Sequence, residues 1–252
     1  MLSDAEKRRY KCHIMIPEIG ETGQEKLKAA KVLVIGAGGL GAPVLQYLTA
    51  AGVGTIAIMD DDVVNEDNLH RQILYGGHDL GKLKTIISKQ RLNSLNPLVN
   101  HEIYNIHLKP ENALDFITRY DIVVDTADNT STSYLINDAC IIIGKPWVYG
   151  SLQKFEGQVS TFNCHNSPSL RCVFPDSNGI NAYHPSHTGV FGVLPGIIGS
   201  LQAIEVIKII TGIGIPLFGK MLVYNMLTHV IKTVLFEKNF DNFKISKLQK
   251  SY

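Results

Sequence analysis

None of the four cysteines in these 252 residues forms a CxxC pair, so the sequence offers neither a disulfide framework nor a paired-thiolate metal knuckle. Net charge is almost absent: 24 basic side chains stand against 23 acidic ones, leaving +1 and no electrostatic case for nucleic acid or an anionic membrane. The opening stretch, MLSDAEKRRYKCHI, lacks the apolar core of an export signal. Free thiols and a cytoplasmic location are therefore expected. Internal repeats and low-complexity tracts are missing as well. The longest apolar stretch, GVFGVLPGIIGSLQAIEVIKIITGIGIPLFG, is broken by Pro195, Glu205 and Lys208. It reads as a buried helix with flanking turns and not as a membrane span.

What is present is globular: 45% hydrophobic and 19% charged residues, enough for one α/β domain with a sizeable core. SDAE at 3–6 is a capping-box helix start, and GQEKLKAA at 23–30 is helix-forming, so residues 3–29 are expected to hold one or two short helices. KVLVIGAGGLG then gives an apolar strand, a glycine turn and a helix onset. From there strands (TIAIMD, NHEIYNIHL, DIVVDT, PWVYGS) alternate with helices (KTIISKQRLNSL, ENALDFITRY, SYLINDACIIIG) up to residue 150. That alternation implies an α/β, doubly wound, mostly parallel Rossmann-like sheet. EGQVSTFNC adds an antiparallel strand, and residues 165–190, rich in Asn, Ser, Pro, Gly and His, read as a long loop.

Gly36, Gly38, Gly39 and Gly41 lie in a GxGxxG stretch between strand and helix, where the backbone can approach a phosphate at a helix N-terminus. Asp60 lies 19 residues beyond Gly41 at the end of the second strand, the place of an acid that binds ribose hydroxyls. These features alone do not separate NAD from ATP. The residues beyond Asp60 do: Arg71 and Lys84 as cations, Asn68 and Gln72 as neutral donors, and Asp125 and Asp128 at the end of the fourth strand. A triphosphate requires cations for its tail and a carboxylate for Mg²⁺, whereas a dinucleotide has little use for either. Taken singly, Arg71 reads equally as a surface charge, Lys84 as helix solvation and Asp128 as a helix cap.

In order and spacing, VLVIGAGGLG, DDDVVNEDNLHRQ, GKLK, DTADNTSTSYLIND, EGQVSTF and LPGIIGSLQAIEVIK resemble the ThiF/MoeB/HesA family, relatives of ubiquitin-activating enzymes. The resemblance runs from about residue 5 to residue 225. It implies a single ThiF-type domain over 1–252, with an N-terminal helical arm (1–30), a nucleotide-binding half (31–150) and a carrier-binding and dimer half with antiparallel strands (151–252). It also implies adenylation, with Mg²⁺ and ATP, of the C-terminal carboxylate of a small ubiquitin-like sulfur carrier of the ThiS/MoaD kind, ending in Gly-Gly. By that resemblance Asp60 holds the ribose, Asn68, Arg71 and Lys84 contact the phosphates with Gln72 beside them, and Asp128 places Mg²⁺. Arg71, Lys84 and Asp128 are then the catalytic set. Asp62 begins the turn toward Asn68 and Arg71, and Asp61 has no assigned role. A homodimer is implied too.

Three departures mark the sequence. The Arg-Tyr-x-Arg opening, whose second arginine reaches ATP across a dimer in this family, reads Arg9-Tyr10-Lys11-Cys12, with Arg8 and Lys11 as the nearest alternative cations. The two CxxC pairs of a structural zinc reduce to Ser169-Leu170-Arg171-Cys172 and a tail without cysteine, so no zinc is expected there. Cys164, Cys172, His184 and His187 form an irregular alternative set. Finally, Pro185 stands where a crossover-loop cysteine is usual, beside Ser186 and His187, so no covalent intermediate is expected through this loop. These departures leave two alternatives: adenylation of a peptide or small-molecule carboxylate or amide, and a nucleotide-binding pseudoenzyme.

Overall fold

The computed structural model describes residues 1–164, 166–175 and 189–252. The N-terminal arm holds three short helices, α1 (Asp4–Arg9), α2 (Lys11–Ile14) and α3 (Gly20–Ala29), one more than the sequence pattern suggests. The capping box forms as read: the Ser3 side chain accepts from the Glu6 amide, and Glu6 accepts from the Ser3 amide at 2.6 Å. The Tyr10 ring is buried, its hydroxyl accepting from Asn96 at 2.8 Å, and this fastens the arm to the body.

The body alternates β1 (Lys31–Ile35), α4 (Gly41–Ala51), β2 (Thr55–Met59), α5 (Lys84–Leu95), β3 (Asn100–Tyr104), α6 (Pro110–Thr118), β4 (Ile122–Asp125), α7 (Thr130–Ile143) and β5 (Trp147–Gln153). The chain continues through β6 (Glu156–Phe162), α8 (Leu170–Val173), α9 (Leu194–Thr211), β7 (Lys220–Asn225) and β8 (Val230–Leu235). All eight strands join one sheet in the order β3-β2-β1-β4-β5-β6-β7-β8. The first five are parallel, and β6, β7 and β8 add on antiparallel.

Alternate strand residues feed two cores, as a buried parallel sheet requires. Val32, Val34, Ile56 and Ile58 face α4, α5 and α9; Leu33, Ile35, Ala57 and Met59 face α6 and α7. Helix α9 has the length and hydropathy of a membrane span, but half of it is buried within the protein. It packs on α4, β5 and β6, which accounts for its buried half, while Ile204 on the other side is 46% exposed. Its buried Glu205 is satisfied by Lys208 (2.7 Å), the Leu217 amide (2.7 Å) and the Thr161 hydroxyl (3.2 Å). At Gly199 an added Cβ would lie 2.5 Å from the Leu40 carbonyl, so α9 sits directly on the entry to α4.

Candidate active site

Strand order reverses at β1, which lies between β2 and β4, and ligands bind in the crevice such a reversal leaves at the carboxyl edge. A cavity of about 640 Å³ opens there. Gly36, Gly38 and Gly39 form one wall, Asp60, Asp62 and Lys84 a second, and Arg71, Gln72 and Asp128 complete the ring. Nine of the residues singled out in the sequence thus meet in one place, although they come from separate segments of the chain.

Two glycines of the loop, Gly36 and Gly41, make backbone contacts that admit no side chain. Gly36 has φ +101°, and a Cβ there would lie 2.8 Å from the Thr126 carbonyl. At Gly41 a Cβ would lie 2.3 Å from the Gly36 carbonyl, so this glycine closes the loop from beneath and is not part of the cavity wall. The Thr126 hydroxyl donates to the Ile35 and Gly36 carbonyls (2.8 and 2.6 Å), and the Tyr75 hydroxyl donates to the Ala37 carbonyl at 2.7 Å. Neither Thr126 nor Tyr75 stands out in the sequence. Thr126 is adjacent to Asp125 in DTADNTSTSYLIND, but Tyr75 carries no signal beyond its nearness to Gln72.

Each carboxylate of the Asp60-Asp61-Asp62 run has its own partner. Asp60 accepts from the Ala37 amide at 2.7 Å and the Asp62 amide at 2.9 Å, tying the glycine loop to the acidic turn. Burial raises its pKa, against the pull of Lys84 and these two amides. Asp61 faces His107 at 3.3 Å on the cavity's outer lip. Asp62 pairs with Lys84 at 2.7 Å. The carboxylate oxygens of the run lie within 4.8 Å of one another, but every one of the three is already engaged by protein groups.

Lys84 is only 4% exposed, which rules out helix solvation as its role. A single bridge between Val63 and Leu83, with the Lys84 amide donating to the Asp62 carbonyl at 3.0 Å, sets it opposite the acidic turn. Arg71 is half-buried and donates to the Asp67 carbonyl at 3.0 Å, beside His70. Gln72 is 5% exposed, and its Oε1 has no hydrogen bond among the described residues. Asn68 is absent from the cavity wall: it is buried behind Asp67, donates to that carboxylate at 2.8 Å, and its carbonyl accepts from the Arg71 and Gln72 amides. Asn68 thereby shapes the turn that presents Arg71 and Gln72.

At the end of β4 the two candidate acids part company. Asp125 is fully buried, accepting from Ser133 at 2.5 Å and the Ala127 amide at 3.1 Å, and burial pushes its pKa up to about 7. Asp128 is exposed in the cavity and has no hydrogen bond or ion pair with a described residue. It does not cap α7. Asn129 does, accepting from the Thr132 amide at 2.8 Å, which leaves the Asp128 carboxylate free for a ligand.

Of the arm, Arg8, Lys11 and Cys12 are exposed and line no part of this cavity, while Arg9 donates to the Leu95 carbonyl. All four cysteines are free thiols. His184, Pro185, Ser186 and His187 lie outside the described residues.

The ThiF family pattern matches residues 10–244. The sulfur carrier protein adenylyltransferase of Thermus thermophilus is 46% identical over 238 residues, 92% of this chain and 88% of the relative. A probable adenylyltransferase/sulfurtransferase, MoeZ of Mycobacterium tuberculosis, is 43% identical over 254 residues. That alignment takes in 98% of this chain and 64% of MoeZ, so the chain spans less than two thirds of that relative. Among solved structures, E. coli MccB with MccA-N7isoASN superposes with a TM-score of 0.82 at 22% identity, over 94% of this chain and 73% of MccB. At that identity the likeness speaks for the fold alone. With the pattern matched over residues 10–244 and a 46% identical relative spanned almost end to end, the chain belongs to the ThiF family.

Proposed function

We propose that this protein is an ATP-dependent adenylyltransferase acting on the C-terminal carboxylate of a small ubiquitin-like sulfur-carrier protein that ends in Gly-Gly. The observation that carries the reading is the grouping of Arg71, Lys84 and the unengaged Asp128 around one cavity at the sheet's switch point, next to a glycine loop and a ribose-type acid. The sulfur-carrier substrate is supported by the name and identity of the Thermus relative. The peptide or small-molecule alternative rests on the sequence departures at Cys12, Pro185 and the missing CxxC pairs.

In this reading the Gly36–Gly41 loop and the start of α4 receive phosphate, and Asp60 accepts from the ribose hydroxyls. The carrier carboxylate attacks the α-phosphorus, forming the acyl–O–P bond while the bond to the departing pyrophosphate breaks. A carboxylate is already ionised at neutral pH, so no general base is required. Two anions must nevertheless approach each other. Arg71 and Lys84, fixed before the substrate arrives, screen that repulsion and stabilise charge growing on the α-phosphate and pyrophosphate. The Asp62–Lys84 pair holds the ammonium in place at little cost, because Asp62 remains largely in water. Gln72 serves as a neutral donor beside them, and Asn68 keeps the turn in shape. Asp128 is the residue we assign to Mg²⁺, which when bound screens the phosphate charge and eases pyrophosphate departure.

We place the acceptor and the dimer contacts in residues 151–252, the arm in 1–30 and the nucleotide site in 31–150, all within one cytoplasmic ThiF-type domain. The exposed arm cations Arg8 and Lys11 line no part of their own cavity, which supports a homodimer in which an arm serves the partner's site. The test is ATP–pyrophosphate exchange with Mg²⁺, run alone and with each Gly-Gly-ending carrier of the source organism, with Asp128→Ala as control. Carrier-dependent exchange that the substitution abolishes is the expected result. ATP binding without exchange for any carrier would redirect the search to peptide or small-molecule carboxylates, or to a pseudoenzyme.

A further inference from the structure

Two short spans far apart in sequence, Ser169-Leu170-Arg171-Cys172 and Asn239-Phe240-Asp241-Asn242, meet at a single sulfur. The Cys172 Sγ accepts from the Ser169 amide (3.5 Å), the Asn239 amide (3.3 Å) and the Asn242 side-chain amide (3.5 Å), with the Ser169 hydroxyl also at 3.5 Å. In the other direction, the thiol faces the Asn239 carbonyl at 3.8 Å. Each span has two residues between its terminal members, the spacing of a thiolate pair in a four-ligand zinc site.

The family resemblance implies a structural zinc at such a place, but the donor set does not fit one. Ser169, Asn239 and Asn242 offer a hydroxyl and two amides where zinc takes thiolates or imidazoles, and Cys172 is the sole sulfur. The Asn239 side-chain oxygen is moreover committed to the Asp241 amide at 3.0 Å. We infer that this site is a metal-free clasp, in which the Cys172 sulfur gathers hydrogen-bond donors from both spans and so fastens the C-terminal tail to α8. Burial alone would push the Cys172 thiol up; the donors from Ser169, Asn242 and the Asn239 amide outweigh it and hold the pKa below the ordinary thiol value.

On its other side α8 is locked to α7: Arg171 makes two 2.8 Å bonds to Asp138, and the Leu170 amide donates to Asn137 at 2.9 Å. The tail's last residue returns to the same carboxylate, the Tyr252 hydroxyl donating to Asp138 at 3.0 Å. The clasp therefore joins residues 239–242 to the segment that leads away from β6, the task a zinc ion would perform, with hydrogen bonds alone. None of this depends on adenylation.

The test combines metal analysis with site-resolved hydrogen exchange on the full chain, made in zinc-supplemented medium. Well below one zinc per chain is expected, with tail exchange unaffected by a zinc chelator. In Cys172→Ala the amides of residues 236–245 are expected to exchange about tenfold faster or more, the loss of several modest hydrogen bonds. Asn242→Ala, which touches the sulfur only from the tail, gives a smaller acceleration in the same residues and keeps the test open if Cys172→Ala does not fold. Stoichiometric zinc that Cys172→Ala releases, or tail exchange unchanged in the folded variants, would overturn the clasp.

Discussion

Lys84 and Asp125 are both buried ionisable side chains, Lys84 in the cavity wall and Asp125 behind it at the end of β4, and only Lys84 has a partner of opposite charge. Lys84 makes a 2.7 Å pair with a solvent-facing Asp62, which holds its side chain at the cavity wall. Replacing it with methionine is expected to lower carrier-dependent exchange by about 10²–10³-fold, the usual cost of removing one preorganised charge stabiliser, which steady-state exchange kinetics will measure. Asp125 has no such partner cation, and its pKa rises to about 7 by burial. Between the ordinary value of 3.8 and about 7 the folded chain holds a proton here that the unfolded chain has lost. Stability from this site is therefore full in acid and falls as pH rises through that window. Asp125→Asn cannot ionise and retains an acceptor for the Ala127 amide. It is expected to melt higher than the parent at pH 8 but not at pH 4, by roughly 2–4 °C for each kcal/mol of ionisation cost removed, as thermal melts at both pH values will show.

At the scale of elements, the site depends on how closely α9 seats on α4. Gly199→Ala would push a methyl group against the Leu40 carbonyl and Pro43, at the first turn of α4, the helix proposed to receive phosphate. Overpacking of this kind costs about 1–3 kcal/mol. The expected outcome is a lower melting temperature together with weaker ATP binding, read by calorimetric titration; a drop in stability with binding untouched would separate α9 from the site. The parallel strands, α5 and α7 were legible because strand and helix periods are strong over those residues. The bounds of the arm were less so, since α1 and α2 are too short to show a period. The strands β7 and β8 went unassigned because neither alternates in burial: in β7 only Met221 and Tyr224, three residues apart, are buried, and all six residues of β8 are exposed.

For the whole molecule, the residue types that gather at the cavity were readable because the phosphate site expected from this sequence calls for them at a sheet's carboxyl edge. Their division of labour was not. That Asn68 stands behind Asp67, that Asn129 and not Asp128 caps α7, and that Tyr75 pins the glycine loop are consequences of packing between segments distant in sequence. The proposed homodimer carries its own expectation: light scattering should give twice the 27.8 kDa chain mass, independent of salt if the contact is mainly apolar. The central claim concerns the bond that is made, and the most direct measurement tracks the adenylyl group itself. ATP labelled at the α-phosphate is incubated with the protein, Mg²⁺ and a Gly-Gly-ending carrier, quenched in acid and resolved by mass. Label on the intact carrier, and none on a carrier lacking its final glycine, is the expected result. Equal label on the truncated carrier, or label on neither while ATP binds, would contradict carrier adenylation.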